Sequence, residues 1–313
     1  MTRSATIPAV VPILLVFLFA GCAGGGKKPP QPAAVQVKAP RWDELRGATF
    51  HGIAESKQPV TLRDGRWEGP PSAPGGASRP SLELVGDFQL FADLDGDGAS
   101  EAVVLLAGNS GGTGTNNYLA VVDRKGAGLE NLATTLVGDR VELRAARIEG
   151  RRILLDLVQA GESDAMCCPG ELVTRTFELS GEELTEPVVA TSTGRLALAT
   201  IADREWVLLA WDIGEPAPKT PVVTLALKEG RITGNAGCNG YFATATAGDQ
   251  PGAIVLGAAG STKKLCPPSV MQVEERYLPQ LSRVTRYGFL AGRLALTYRT
   301  DGGVGTMLFE EKR

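Results

Sequence analysis

Histidine is nearly missing from this chain. His51 stands alone among 313 residues, so a serine or cysteine nucleophile would have at most one imidazole base to draw on. An excess of charge of one sign is missing too: 32 Lys and Arg against 35 Asp and Glu give a net charge of −3. A mildly acidic chain without a basic block argues against nucleic acid as a partner. Long apolar runs are confined to the N-terminus, so no later segment reads as a membrane span. From Leu196 onward there is no histidine, no Gly-rich phosphate loop and no zinc-type ligand spacing.

What is present begins with a leader. Arg3 supplies a positive charge, and Ile7 to Ala20 is a mostly apolar stretch of 14 residues. That is too short for a comfortable bilayer span and has the length of a signal h-region. It ends Leu18-Phe19-Ala20-Gly21-Cys22, small residues just before a cysteine. The string resembles the bacterial lipobox, with Phe19 where Leu is usual, and the resemblance makes Cys22 the lipidated first residue of the mature chain. Removing residues 1–21 takes away Arg3 alone and moves the net charge to −4. Residues 22–40 are rich in Gly and Pro and read as a tether able to reach roughly 25 to 55 Å. Ala23 follows the cysteine, where Asp would resemble an inner-membrane retention signal. The expectation is therefore an outer-membrane lipoprotein of a Gram-negative bacterium, facing the periplasm, anchored by more than one acyl chain.

The remainder, 43% hydrophobic with 39 Gly and 20 Pro, has short apolar runs broken at regular intervals. This is the pattern of a mainly β (α+β) protein with enough length for two domains, set here at 41–188 and 196–313. In the first, strands are expected at Pro59–Leu62, Ser81–Val85, Ala102–Ala107, Tyr118–Val122, Arg140–Ala145, Arg152–Leu157 and Leu172–Leu179, with turns at Asp64-Gly65, Glu149-Gly150 and Ser180-Gly181. His51 falls in a short strand over 48–53. Four cysteines remain after Cys22, and four allow three pairings. Cys238–Cys266 lies within one domain and is favoured; closing that loop would stabilise by roughly 3 kcal/mol. The neighbours Cys167 and Cys168 are then left to form a vicinal disulfide, stay as thiols or hold a metal.

The loop Asp93-Leu94-Asp95-Gly96-Asp97-Gly98-Ala99-Ser100-Glu101 carries the sharpest chemistry of this half. Carboxylates at alternating positions around a glycine turn suit calcium, which takes six to eight oxygens. Asp93, Asp95, Asp97 and Glu101, with the Ala99 carbonyl, are the candidate ligands of a structural site. An EF-hand would need Glu where Val104 stands; the loop instead resembles the D-x-D-x-D-G-x-x-D loops between strands of integrin-type repeats, ending in Glu101 rather than Asp. The competing reading is a solvated acidic turn without metal. Gly108-Asn109-Ser110-Gly111-Gly112 spells G-x-S-x-G, but Thr113 to Asn117 is a poor helix and a hairpin loop is the better reading.

In the second domain the landmarks run in order: Trp206-Val207-Leu208, Val222 to Leu227, Arg231 to Tyr241 with Gly237-Cys238-Asn239-Gly240, Thr262 to Cys266, a helix bearing Glu274 and Glu275, Leu294-Ala295-Leu296 and Met307-Leu308-Phe309. This order resembles the META (HslJ-like) domain over roughly residues 200–311, which implies a curved antiparallel sheet or barrel with one packed helix. From the residues themselves, Ser269 and Gln272 read as a capping box opening that helix, and Val270, Val273, Tyr277 and Leu281 fall on one face. Pro279 is expected to kink or end it early. Asn239 is expected to bond its own turn or to contact a ligand, and Glu274 and Glu275 to pair on the surface with Arg276 and Arg283.

These features together point to a non-catalytic binding or envelope-stress role with an envelope protein as partner. The resemblance to META carries links to heat-shock and envelope-stress contexts but fixes no activity. A calcium-dependent envelope hydrolase and a protease- or lysozyme-inhibitor-like module are the alternatives, the last with Gly108–Asn117 or Gly161–Pro169 as a protruding loop.

Overall fold

The computed structural model describes residues 38–165 and 167–312. The apolar leader, Cys22 and most of the tether lie outside the described residues. The described residues from 38 to 312 form one compact unit, mainly β with a single long helix.

The N-terminal half is layered. A central antiparallel meander runs Arg66–Glu68, Ser81–Ala92, Glu101–Asn109, Asn116–Lys125, Gly128–Asp139 in that order. Its middle strand is apolar on both faces, and the structure shows why. Ala102, Val104 and Leu106 point into a core with Phe50, Val60 and Leu45, while Val103 and Leu105 point into another with Leu143, Leu157 and Phe177. The first core is roofed by the short helix Trp42–Leu45 and the pair Thr49–Phe50 and Val60–Thr61. The second is closed by a sheet of Glu142–Glu149, Arg152–Gln159, Glu171–Ser180 and Glu183–Thr185, with Thr191–Arg195 pairing on Glu171–Ser180. A strand covered on both sides reads as an unbroken hydrophobic run, and Ala102–Ala107 is such a run.

Several boundaries differ from expectation for physical reasons. Gly128–Asp139 is a 12-residue strand that alternation does not reveal, because bulges within it at Leu132 and Val137, opposite Val121/Val122 and Asn117/Tyr118, break the period of two. Asn131 is buried there, its amide donating to Val121 O (3.0 Å) and Ala133 O (2.9 Å) while its Oδ1 accepts from His51 N (2.9 Å). The strand expected from Arg140 begins at Glu142, since Arg140 adopts φ 52° and turns the chain. His51 lies just beyond the Thr49–Phe50 strand and is exposed. Thr191–Arg195, in the gap between the two expected domains, is an edge strand.

The C-terminal half is a nearly closed antiparallel barrel. Its order is Ile254–Leu256, Gly240–Ala247, Arg231–Asn235, Thr224–Lys228, Glu205–Asp212, Gly303–Glu311, Arg293–Thr300, Val284–Leu290. The ends meet through the bridge Ala253–Arg286 and the bond Tyr287 N to Gly252 O (2.7 Å). The helix Pro268–Ser282 packs its Val273, Tyr277 and Leu281 into the barrel core with Trp206, Leu225 and Phe309. Tyr277 sits edge-on to both Tyr241 and Phe309, and its hydroxyl meets that of Tyr241 at 2.7 Å. Tyr241 Oη lies 2.9 Å from Thr224 O, so the two phenols form a satisfied chain inside the core.

The helix start corrects the expected capping box. Pro267 is the N-cap and Pro268 the first helical residue, with no side-chain cap; Ser269 is already in the first turn. Proline at that position lacks only an N–H the helix would leave free, so the pair Pro267-Pro268 sets the start by itself. Pro279 sits inside the helix, which continues to Ser282.

The halves are joined by polar contacts. Glu142 Oε2 accepts from Phe289 N (2.9 Å), Leu143 O from Gly292 N (2.9 Å), and Gly170 O from Leu196 N (2.7 Å). A Cβ on Gly288 would lie 2.5 Å from Glu142 Oε2, so the carboxylate reaches the strand only because residue 288 has no side chain. Burial pushes the Glu142 carboxyl up to about 7, against the pull of the Phe289 amide and Arg286, and burial, with Glu142 adding to it, raises Tyr287 to about 12. The folded chain therefore holds a proton at Glu142 that the unfolded chain releases between about 4.5 and 7. Stability from this group is complete below pH 4.5 and is lost as pH rises through 7. Glu142→Gln keeps the acceptor without the charge. It should match the native chain at pH 4 and exceed it at pH 8, by at most about 3 kcal/mol, in denaturant melts across that range.

Candidate functional site

The acidic loop joins Ser81–Ala92 to Glu101–Asn109 at the edge of the doubly buried strand. Its conformation is written by its own side chains. Asp93 accepts from Gly96 N (2.6 Å) and Gly98 N (3.1 Å), Asp95 from Asp97 N (2.9 Å), and Asp97 from Ala99 N (2.7 Å). These are Asx turns, in which a short acid replaces the backbone partner that a tight loop cannot supply. Gly96 adopts φ 87°, and a Cβ there would stand 3.1 Å from Arg151 Nη1. Arg151 also donates Nε to Leu94 O at 2.7 Å, so a guanidinium lies against the loop.

Glu101 is different from the aspartates. It is fully buried, at 0% exposure, because it begins the central strand beside Leu94. One oxygen accepts from Leu94 N at 2.6 Å; the other, Oε1, is buried with no partner. Desolvation raises its pKa, with Asp95 adding to the rise. Carboxylate oxygens of Asp93, Asp95 and Glu101 all lie within 4.8 Å of one another. These three form one acidic cluster that could hold a metal. Asp97 is outside that trio, and Ala99 contributes its amide to Asp97. Three carboxylates at this range suit a hard cation taking oxygen ligands, and a buried oxygen without a donor is what such an ion would satisfy.

A further acid escaped the sequence reading. Asp123, on the neighbouring strand, has a raised pKa from burial and then from Asp97 and Asp95. The pairing Ala102 with Val122 sets Asp123 beside the start of the central strand. Only strand register could have disclosed it.

The G-x-S-x-G string is a strand-loop-strand connection. Asn109 closes it, donating to Gly114 O (2.7 Å) and accepting from Gly111 N (2.6 Å), and Ser110 is exposed. Cys167 and Cys168 are bonded to each other in a loop pinned by Asp164, which accepts from Gly161 N (2.8 Å) and Gly170 N (2.9 Å) and pairs with Arg195. Arg286 of the barrel reaches Cys168 Sγ at 3.3 Å.

In the C-terminal half Cys238 is joined to Cys266, Cα atoms 6.0 Å apart. Next to it Asn239 is spent entirely on structure, though not within its own turn. Its Oδ1 accepts from Thr262 Oγ1 and Lys264 N, both at 2.7 Å. Its backbone and side-chain amides donate to the two oxygens of Glu274, at 2.8 and 3.1 Å. Glu274 is therefore buried rather than a surface partner of Arg276. Arg276 instead makes a two-pronged pair with Glu215 (2.6 and 2.7 Å) and lies over Trp211, and Arg283 stands 3.7 Å from Asp301.

A strand order that closes on itself, one helix plugging it, and an Asn–Glu pin beside a disulfide are the observations that meet the sequence landmarks. Residues 199–312 match the META domain family. The chain contains a META domain. Among curated proteins none matches the chain. A solved structure, the NMR structure of the protein from Burkholderia xenovorans, is similar at 25% identity over 36% of this chain and 85% of that one, with a TM-score of 0.29.

The burial of Glu101 makes a prediction in chelator. Its raised pKa means that, without a cation, stability falls as pH rises from 4.5 through the shifted value. Glu101→Gln should then melt higher than the native chain at pH 8, and the gap should close as pH approaches 4.5. A mutant that melts lower at pH 8 would show that the charge is compensated within the protein.

Proposed function

We propose that this chain is a lipid-anchored outer-membrane lipoprotein facing the periplasm, whose META domain and layered N-terminal half bind an envelope partner without catalysing a reaction. The carrying observation is the junction at Cys22: an apolar run of leader length, small residues, one cysteine, then a Gly- and Pro-rich segment leading to the compact unit. A body held on such a tether is suited to capture a partner near the membrane. The absence of a strand-turn-helix at Ser110 favours binding over a serine hydrolase, since that nucleophile depends on the sharp turn into a helix.

The acidic cluster fits the same reading as a structural calcium site, with Asp93, Asp95 and Glu101 as carboxylate ligands and Asp97 and the Ala99 carbonyl completing the loop. Its acids are strung along a turn between two strands, where a cation would lock the loop to Glu101. The hydrolase alternative needs such acids to line a cleft, and the clefts of about 990 and 1010 Å3 are lined by other residues.

Two experiments test the proposal. Cys22→Ser should move the protein from the detergent-rich phase to the aqueous phase on fractionation; a variant that stays with lipid removes the anchor. Photo-crosslinkers at the exposed Val255 and Leu265 should then capture one saturable envelope protein from the native chain, and no adduct would count against a protein partner. For the loop, calcium at a hundredfold its Kd should add about 2.7 kcal/mol of stability. Chelator should reverse the gain and Glu101→Gln should abolish it. Equal melts with calcium and with chelator would dismiss the site.

A further inference from the structure

Where the second sheet of the N-terminal half meets the META barrel, the surface opens into a cleft of about 990 Å3. Its volume falls within the range of small-molecule sites, roughly 300 to 1,000 Å3. Phe88, Leu143, Val207 and Phe289 give it apolar walls, and Ala145 lies exposed at its edge. The Leu143 O to Gly292 N bond (2.9 Å) ties the two halves together beside it, so the cleft belongs to neither half alone.

Among the described residues, the charges around this cleft are matched except at Arg144 and at the rim residue Glu310. Arg204 pairs with Glu311 (2.9 Å) and Lys312 with Glu205 (3.0 Å). Asp156 has both oxygens engaged, one by Arg147 Nη1 (3.0 Å) and one by Thr174 Oγ1 (2.6 Å). Glu310 is exposed to solvent at the rim. Arg144 is left over: its Nε is buried with no hydrogen-bond partner, and its guanidinium lies over the Phe289 ring at 5.6 Å. Burial pushes its pKa down, and Asp156 opposes the fall without forming an ion pair. A guanidinium remains charged at any working pH, so a half-buried one whose Nε has no acceptor is costly unless a ligand completes it.

We infer that this cleft binds a small organic carboxylate with an apolar body, the carboxylate on the Arg144 guanidinium and the body against Phe88, Phe289 and Val207. The planar fork of arginine matches a carboxylate in two parallel bonds, and an arginine stacked on an aromatic ring is already oriented for it. The apolar walls exclude a bare inorganic anion as the preferred occupant, because they would remain wet around it. The inference stands apart from the anchor and from the acidic loop, so neither the Cys22→Ser result nor the calcium melt bears on it.

The test is calorimetric titration of the full chain in detergent with a panel of alkyl and aryl carboxylates of two to ten carbons, each beside its primary amide. At least one carboxylate should bind saturably, with affinity rising with apolar size, and its amide should bind about tenfold or more weakly. Arg144→Gln should remove that preference. Ala145→Trp, an exposed substitution that leaves Arg144 in place, should block both ligands while the melting temperature holds. No binding across the panel at millimolar concentration would overturn the inference. Equal affinity for acid and amide, or a preference that survives Arg144→Gln, would overturn it as well.

Discussion

Burial of the Glu101–Asn109 strand on both faces is the constraint on which the N-terminal half depends. A strand with cores on either side needs two covering layers. Residues 42–61 supply one and the sheet from Glu142 to Arg195 supplies the other. The same burial determines the chemistry of the loop that feeds the strand. Glu101 occupies its first position and inherits its dryness, whereas Asp93 and Asp95, a few residues earlier, are exposed. A carboxylate tied by one oxygen to Leu94 N and unpartnered at the other is unfavourable as an anion and useful as a ligand. The acidic loop is therefore a consequence of layering, with its least solvated acid placed by the core.

The META half rests on a comparable arrangement in different residues. Asn239 and Glu274 are both buried, and each satisfies the other while Asn239 also holds the Thr262–Lys264 segment. Together with Cys238–Cys266 this ties the turn at Gly237–Gly240 to the following segment and to the helix. Buried polar groups of this kind are tolerated only when every bond is made. Here both carboxylate oxygens and the amide of Asn239 are used, which leaves none of them free for a ligand.

The strands and the helix were legible because their signals are local. Ala102–Ala107 is a continuous apolar run, Asp64-Gly65 adopts positive φ at both residues, and Val273, Tyr277 and Leu281 keep helical spacing. The META landmarks were legible in order and spacing, and the family match covers 199–312. What escaped notice depends on register or tertiary partners. Gly128–Asp139 hides behind two bulges, and Asp123 approaches the acidic loop only through pairing with the central strand. Glu274 looks like a surface acid because Arg276 lies two residues on, yet that arginine turns away to Glu215 and Trp211. A helix shows which residues share a face, while the depth of that face is set by what packs on it.

The junction between the halves follows the same logic, and it explains why a cleft forms there. Strand Glu142–Glu149 is committed at its start: Glu142 fits under the bare Gly288 to reach Phe289, and Leu143 accepts from Gly292. One residue later that attachment ends, and Arg144 emerges between the halves with Phe289 beneath it and, among the described residues, no carboxylate in an ion pair with it. Had the strand continued to pair with the barrel, the gap would be filled by side chains and Arg144 would have faced solvent or an acid. Instead the joint is held tightly at one point and opens beside it. An opening of this kind sets a rigid wall from each half around a charge that neither half neutralises, which is the physical requirement for selecting an anion by both its head and its body.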